Sequence, residues 1–236
     1  MPYRKTTKKN SIYQYPRRQL YWAAGKQLAR DVTYLKSIVN AECKSHERTG
    51  IVYADDAGEL FHVSNIALGD THETRDGDVI LPRYLTLKYL IKKSTNGQAP
   101  NVELLRMVLF IWHNNTTPLV AGVLESADVM SFYQRVTSGA KGDSREFTIL
   151  SDKKITLDKD NRQIRYMQLN KQLNRNGVEK RVGAARRSMH IKYNGTNTTE
   201  EMNGIYLLII AETPTGVSDD VKTEVEVHSS LKYYDN

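Results

Sequence analysis

The chain has 236 residues, of which 39% are hydrophobic and 26% are charged. This length gives one domain of ordinary size with an appendage, and this composition is typical of a globular protein rather than a disordered or fibrous one. No run of 18 or more apolar residues occurs and no secretory h-region follows the start, so the sequence predicts neither a membrane-spanning helix nor secretion. The single cysteine, Cys43, rules out an internal disulfide and indicates a reducing compartment.

Positive charge is concentrated at the N-terminal end of the chain. Residues 1–36 contain nine Lys or Arg and one acid, Asp31, which gives a balance of +8. The rest of the chain contains 25 basic and 26 acidic residues, a balance of −1. The total of +7 therefore describes a nearly neutral body with a cationic N-terminal segment.

Residues 1–17 have no hydrophobic period and are predicted to form a basic arm that is disordered until it binds a partner. Lys and Arg are interspersed with Tyr there, and together they supply phosphate neutralisation and base stacking, two sequence-tolerant ways of holding single-stranded nucleic acid. A solubilising tail is the alternative interpretation. The residues predicted to bind nucleic acid, which extend into the next segment, are Arg4, Lys5, Lys8, Lys9, Arg17, Arg18, Lys26 and Arg30.

Residues 18–43 are predicted to form an amphipathic helix that precedes the folded body. Apolar residues recur there at spacings of four and three, which places them in one stripe along a helix. A helix over residues 18–42 would be roughly 37 Å long, which is too long for a simple linker. The stripe consists of Leu20, Ala24, Leu28, Val32, Leu35 and Val39.

Residues 44–236 are predicted to form an all-β shell domain. From about Thr49 apolar and polar residues alternate between short turn clusters, which is typical of a sandwich or barrel. One helical segment is predicted at 124–134. When the short first strand of a hairpin, 50–54, is omitted, eight strands remain, which predicts an eight-stranded jelly roll of two four-stranded antiparallel sheets. These strands are 59–66, 79–92, 103–112, 145–151, 161–169, 186–193, 204–211 and 221–228.

The order and spacing of five motifs resemble those of single jelly-roll viral coat proteins. The similarity is to the coat protein of satellite tobacco necrosis virus and to the capsid proteins of small circular single-stranded DNA viruses, and it spans about residues 70–235. The similarity lies in the order of the five motifs taken together, because each motif alone is common. The motifs are Arg75-Asp-Gly-Asp-Val-Ile before a strand, Arg106-Met-Val-Leu-Phe-Ile-Trp112, Thr116-Thr-Pro at the head of a helix containing Phe132, Arg145-Glu-Phe-Thr-Ile-Leu-Ser-Asp152, and Lys192-Tyr-Asn-Gly195 before Gly204-Ile-Tyr-Leu-Leu-Ile-Ile.

The resemblance implies a T=1 icosahedral shell of sixty identical subunits whose basic N-terminal arms face inward onto a single-stranded genome. The implied partners are further copies of the chain and single-stranded DNA or RNA, with no membrane. The implied location is the virion, with the host nucleus or cytoplasm during assembly. Basic clusters in the arm loosely match a split nuclear-import signal, and this match together with the resemblance favours a DNA genome and the nucleus.

The resemblance also implies an interface cation. In the satellite virus family, a chain-terminal Asp and main-chain carbonyls of the R-x-G-D turn can hold such an ion, and Ca²⁺ prefers oxygen ligands of this kind. The matching positions are Asp235, Asp76 and Val79. The residues themselves favour the alternative, a solvated turn and a frayed chain end, so no metal site or cofactor is assigned.

Other chemistry finds little support in the sequence. The six histidines show no metal-binding or catalytic spacing, and the set nearest to a cupin-like site, His62 with His72 and Glu73, is poorly spaced. The spacing Gly177-x5-Gly183 lacks the Lys-Ser/Thr of a phosphate-binding loop. The sequence therefore predicts no enzyme. A second basic cluster, interpreted either as facing the genome or as a solvated loop, comprises Lys171, Arg175, Lys180, Arg181, Arg186 and Arg187.

These observations predict a viral capsid protein that assembles into a small shell and packages its genome through the basic arm. The alternative is a jelly-roll protein that binds single-stranded nucleic acid and never closes a shell. A carbohydrate-binding sandwich is a third hypothesis. It predicts aromatic platforms on exposed loops and leaves the basic arm unexplained.

Overall fold

The structure is a computed structural model and describes residues 27–28, 31–32, 42–134, 146–158, 164–173, 189–196, 198 and 200–235. The chain divides into two compact units, Met1–Asn40 and Ala41–Asn236. The described residues of the first unit are helical, and the side-chain amide of Gln27 donates a hydrogen bond to Asp31 one turn away, at 3.0 Å. Leu28 and Val32, which belong to the predicted apolar stripe, are exposed.

The second unit is built almost entirely from β-strands. Strands are favoured because apolar and polar residues alternate along most of its sequence. Its described residues form ten strands and one short helix: β1 (Glu42–Ala54), β2 (Glu59–His62), β3 (Val79–Lys92), β4 (Val102–Trp112), α1 (Val120–Val123), β5 (Phe147–Asp158), β6 (Ile164–Gln172), β7 (Ile191–Tyr193), β8 (Glu200–Met202), β9 (Gly204–Ala211) and β10 (Thr223–Asp235).

The strands form two antiparallel sheets. Sheet A has the order β1-β10-β3, with β6 paired along most of β3 and the short β7 and β8 continuing from the start of β3. Sheet B has the order β2-β9-β4-β5. Apart from β7 and β8, each sheet therefore has four strands. The predicted all-β jelly roll of two antiparallel sheets is confirmed, but sheet A has six strands instead of the predicted four.

Several strands differ from the prediction. β2 ends before the predicted 66, β5 and β10 continue past the predicted ends at 151 and 228, and β8 was not predicted. The omitted segment 50–54 is the end of the long β1, whereas 186–193 contributes only the three residues of β7 to the described part of the chain. β1 begins at Glu42, inside the range 18–43 predicted as helix, and Cys43 pairs with Tyr234 of β10. β1 pairs with β10 along its whole length, which hydrogen-bonds one edge of β1, and this tertiary contact outweighs the local apolar pattern.

The hydrophobic core has two layers, because β4 and β9 are buried on both faces. Leu207 and Ile209 of β9 pack between the two sheets, while Leu208 and Ile210 belong to a second cluster on the outer face of sheet B. The second cluster is completed by α1 and by residues of the loop that follows it. Burial on both faces explains why these two strands are almost wholly apolar instead of alternating.

The prediction of a helix at 124–134 is wrong. α1 ends at Val123, and residues 124–134 fold back on themselves in a loop that we call the 124–134 loop. The N–H of Glu125 donates to the carbonyl of Phe132 at 2.9 Å across this loop. The Asp128 carboxylate accepts the N–H of Met130 at 2.5 Å. Such short-range side-chain acceptors compete with helical hydrogen bonds and favour a turn.

Candidate functional site

Arg75 fixes the Arg-Asp-Gly-Asp turn that precedes β3. Its buried guanidinium donates hydrogen bonds to the carbonyls of Ile66 at 3.4 Å, Gly77 at 2.6 Å and Gly195. The guanidinium carbon lies 4.2 Å from the centroid of the Tyr193 ring, a cation–π contact. This Arg75 clamp therefore joins two of the sequence motifs, the Arg-Asp-Gly-Asp turn and the Lys-Tyr-Asn-Gly segment.

Lys44, Asp76 and Asp235 form an ion-pair cluster at the same turn. The Lys44 ammonium lies 2.7 Å from Asp76 Oδ1 and 3.5 Å from Asp235 Oδ2. The Asp235 carboxylate also accepts the N–H of Asp76 and, at 3.3 Å, that of Gly77. The side chains of Lys44 and Asp235 are only 2% and 3% exposed. One buried ammonium thus connects the start of β1 and the end of β10 to the turn before β3.

This cluster tests the implied interface cation. Asp76 and Asp235 lie together as the resemblance implies, but Lys44 already places a positive charge against both carboxylates. A divalent ion bound to the same oxygens would be repelled by that ammonium at short range. Val79 is the first residue of β3 and pairs with Lys192 of β7. The donor set therefore does not fit a divalent cation. Within the described ranges, no group of three or more His, Cys, Asp or Glu could hold a metal ion.

Arg106, on β4, holds the loop that follows α1 in a similar way. Its Nε and Nη2 donate to the two oxygens of Asp152 on β5 at 3.1 and 2.8 Å. Its Nη1 donates to the carbonyls of Val129 at 3.2 Å and Ser131 at 2.6 Å. The guanidinium carbon lies 5.0 Å from the centroid of the Tyr133 ring. A bidentate pair fixes orientation as well as position, so this Arg106 clamp ties the loop to two strands of sheet B.

The Arg106 clamp is charged at neutral pH. Burial by itself raises the pKa of Asp152, but hydrogen bonds from Arg106 and Tyr133 outweigh it and hold that pKa below its ordinary value. Burial, with the hydrogen bond to Asp152, raises the pKa of Tyr133 to about 12. The tyrosine therefore stays protonated, and its hydroxyl donates a hydrogen bond to the Asp152 carboxylate at 2.5 Å.

A Ser-His-Glu group joins the two sheets without the geometry of a catalytic site. A ring nitrogen of His62 lies 2.7 Å from the Glu200 carboxylate, and the ring stacks on Tyr206 with centroids 4.4 Å apart. The Ser64 hydroxyl donates to the same carboxylate and accepts the N–H of Ile205 at 2.7 Å. Ser64 is fully buried and bonds to the acid instead of the histidine, so this group lacks the Ser-His-acid order of a catalytic triad.

The weak cupin-like set of His62, His72 and Glu73 is not assembled within the described part of the chain. His72 instead lies 3.5 Å from its neighbour Glu73, and both side chains are exposed. An exposed pair of adjacent residues has no third ligand to fix a metal ion.

The residues predicted to bind nucleic acid lie outside the described residues. They are Arg4, Lys5, Lys8, Lys9, Arg17, Arg18, Lys26 and Arg30. Of the second basic cluster, Lys171 lies in β6, paired with Leu85 of β3, and the other members lie outside the described residues as well. No helix in the described part of the chain is long and apolar enough to cross a membrane.

Sequence reasoning missed the roles of Lys44, Arg106 and Asp152. A signal for Arg106 was present, because a charged residue in a largely apolar strand must be paired when that strand is buried. Lys44 carried no such signal, since it stands in the charged segment Glu-Cys-Lys-Ser-His-Glu-Arg.

The fold and these clamps define a class of architecture: a jelly-roll sandwich whose peripheral loops are held by buried arginines. The model of the satellite tobacco necrosis virus coat protein family matches residues 17–236. The chain belongs to that family. It is a viral coat protein, a structural component of the virion and not an enzyme.

Several solved structures share some similarity with the chain. One, of Desmodium yellow mottle tymovirus, is 10% identical, with 83% of this chain and 88% of that chain covered and a TM-score of 0.38. Another, of infectious bursal disease virus Gt strain, is 10% identical, with 83% and 40% covered and a TM-score of 0.15. The infectious bursal disease virus VP2 subviral particle is 9% identical, with 80% and 41% covered and a TM-score of 0.13. No curated protein matches the chain. TM-scores this low do not establish a shared fold, so the assignment of the chain to a family rests on the family match.

Proposed function

We propose that the protein closes a T=1 icosahedral shell of sixty subunits and packages a single-stranded genome through its N-terminal arm. The separation of charge carries this proposal: residues 1–36 have a balance of +8 and the rest of the chain a balance of −1. A nearly neutral body packs against copies of itself without strong like-charge repulsion, while a cationic arm binds phosphates.

The amount of charge sets the scale of packaging. Sixty N-terminal segments, residues 1–36 with a balance of +8 each, neutralise roughly 480 phosphates if each charge meets one phosphate. A genome of kilobase size carries more than that, so divalent ions, polyamines or basic residues of the shell interior supply the remainder. Tyr3, Tyr13 and Tyr15 add stacking surfaces for bases.

Electron microscopy of the purified protein tests the closed shell. Uniform particles roughly 20 nm across are expected of a sixty-subunit shell of 27.0 kDa chains. Irregular nucleoprotein complexes without such particles would support the alternative, a jelly-roll protein that binds single-stranded nucleic acid without enclosing it.

Deletion of residues 2–17 tests the arm. The truncated chain is expected to fold and assemble but to lose most of its packaged nucleic acid, since the deleted segment contains Arg4, Lys5, Lys8, Lys9 and Arg17. The absorbance ratio at 260 and 280 nm of purified particles measures the loss. A chain of full length with these five residues changed to Gln is the matched control for arm length. An unchanged ratio in both variants would show that the arm is not the genome ligand.

Nuclease digestion of the extracted nucleic acid identifies the genome type. We expect single-stranded DNA, assembled into particles in the host nucleus. Sensitivity to ribonuclease and resistance to deoxyribonuclease would assign RNA instead.

A further inference from the structure

Two apolar side chains of the 124–134 loop project into solvent. Phe132 is 79% exposed and Met130 is 60% exposed, and Phe132 is the most exposed large apolar side chain among the described residues. The main chain beneath them is fixed, because Arg106 binds the carbonyls on either side of Met130. Apolar groups on a rigid support lose little freedom on binding, which is the property of interface hot spots. Met130 and Phe132 together form what we call the apolar knob.

An open groove of about 470 Å³ lies on the outer face of sheet A. Its depth follows from side-chain size: Ser230 of β10 and Thr86 of β3 are small and pair directly in the register. Lys88, Leu90 and Tyr166 stand beside them as longer side chains. The volume is in the range of sites that enclose an organic group. This surface is the sheet A groove.

The knob and the groove lie on opposite faces of the sandwich. The 124–134 loop covers the outer face of sheet B through Leu124 and Val129, whereas the groove lies on the outer face of sheet A. The two packed sheets separate them, and the exposure of Phe132 shows that it is not seated in its own groove. A contact between two different surfaces of identical chains is head-to-tail, and it closes into a ring when the rotation that relates the copies closes. The threefold and fivefold axes of an icosahedral shell require contacts of this kind.

We propose that the apolar knob of one subunit seats in the sheet A groove of a neighbouring copy and so forms a ring contact of the shell. This inference rests on the proposed closed shell and names residues that build it. A second copy is the occupant because a coat protein meets other copies of itself, and this chain carries both halves of the contact.

Charge sets the direction in which the knob enters. Asp128 lies beside the knob, as does the ammonium of Lys154, which is 3.4 Å from the sulfur of Met130. Lys88 is exposed on the β3 side of the groove. Glu226 lies 3.7 Å from the ammonium of Lys92, so its charge is compensated within the sheet. Glu47 stands at the β1 end of the groove, across β10 from β3. The acidic flank of the knob therefore faces the β3 and β6 side.

Substitution of the knob tests the contact. In the full-length chain, Phe132→Ser is expected to raise the subunit concentration needed for particle formation by about tenfold or more, as the loss of a hot spot does. Thr86→Trp, which fills the groove, is expected to do the same. Both positions face solvent, so circular dichroism melting of the subunit is expected to be unchanged. Met202→Ser is the matched control, because Met202 is an exposed apolar residue outside both surfaces.

A cross-linking experiment reports the contact directly. Chains that carry Cys43→Ser with Phe132→Cys are mixed with chains that carry Cys43→Ser with Thr86→Cys and then oxidised. A mixed disulfide dimer is expected, and it is expected to exceed the dimer formed when Met202→Cys replaces Thr86→Cys in the partner, because a disulfide needs the two Cβ atoms about 4 Å apart.

The inference would be overturned by particle formation of Phe132→Ser at the wild-type concentration, or by mixed dimer no more abundant than in the Met202→Cys control. If the unchanged chain forms no particles, the proposed closed shell fails, and the cross-link still decides whether knob and groove meet. The failure of the contact and the failure of the shell are therefore distinguishable.

Discussion

Arg75 and Arg106 are two buried arginines that lie against a tyrosine ring and hold main-chain carbonyls of a peripheral loop, yet the loops they hold differ in character. The Arg75 clamp binds three carbonyls, and its carboxylate partner, Asp78 at 3.2 Å, is 60% exposed. The Arg106 clamp binds two carbonyls and pairs through two hydrogen bonds with the half-buried Asp152. Guanidinium chemistry fixes the backbone in both places.

The two loops present opposite surfaces. At the Arg75 turn the outward side chains are Asp76 and Asp78, both partly exposed acids. At the Arg106 loop they are Met130 and Phe132. A buried arginine thus makes a loop rigid, and the residues that it does not touch decide whether the rigid loop is a polar corner or an apolar contact surface.

Removal of Arg75 is expected to have the largest effect. Arg75→Met leaves three buried or partly buried carbonyls without a donor and should lower the free energy of unfolding by about 3–5 kcal/mol. Urea denaturation of the subunit measures it. Asp78→Asn is the matched control: it changes only the exposed carboxylate of the same clamp and should cost less than about 1 kcal/mol. Equal losses in the two variants would show that the carbonyl contacts do not stabilise the turn.

Arg106→Met should cost somewhat less, about 2–4 kcal/mol, because fewer main-chain carbonyls lose a donor. Its more specific consequence is local. The amides of the 124–134 loop should exchange hydrogen faster, since the loop loses its attachment to sheet B. Arg106→Lys keeps the charge without the planar fork and should give intermediate exchange. Exchange rates in this loop that match those of the wild type would contradict the role of the clamp.

The Arg75 turn differs from the Arg106 loop in having a second buried cation, Lys44, beside it. In the wild type, a chelator should leave the melting temperature unchanged, since Lys44 supplies the positive charge between Asp76 and Asp235. Lys44→Gln should lower stability by about 1–3 kcal/mol through repulsion of the two carboxylates. Added Ca²⁺ should partly restore stability in this variant alone. A chelator-induced fall in the wild-type melting temperature would contradict this account.

The sequence was a good guide to strands whose burial is uniform along their length. The predicted ranges 79–92 and 204–211 coincide with β3 and β9, because alternation or continuous apolarity reports burial on one or both faces. β1 was predicted poorly. Its first half is a charged segment, and the pairing of Glu42 with Asp235 depends on a strand at the other end of the chain.

The sites were less predictable than the strands, because they too depend on contacts between residues far apart in the sequence. The resemblance placed Asp76 beside Asp235, and the structure brings them together, but nothing local indicated that Lys44 would lie between them. Arg75 meets Gly195 across a long stretch of sequence, and a single sequence contains no record of that proximity. The helix prediction for 124–134 was wrong because the Asp and Ser side chains of this loop accept hydrogen bonds from nearby N–H groups.

The smallest expected effect is the acid dependence of the Arg106 clamp. The pKa of Asp152 is lowered in the folded protein, so its ionisation contributes stability above the unfolded pKa of about 4, and this contribution is lost as the pH falls through the folded pKa. At pH 7 the free energy of unfolding of the wild type should be higher than that of Asp152→Asn by a gap of about 1 kcal/mol. The gap should shrink below pH 4, because the protonated acid and the amide are then both neutral.

Urea midpoints of both proteins at pH 7, 4 and 3 measure the gap, and subtraction removes the acid response of the other carboxylates. A stability difference that stays constant down to pH 3 would mean that the ionised pair does not hold the loop, and that the Arg106 clamp stabilises the protein through its carbonyl contacts alone.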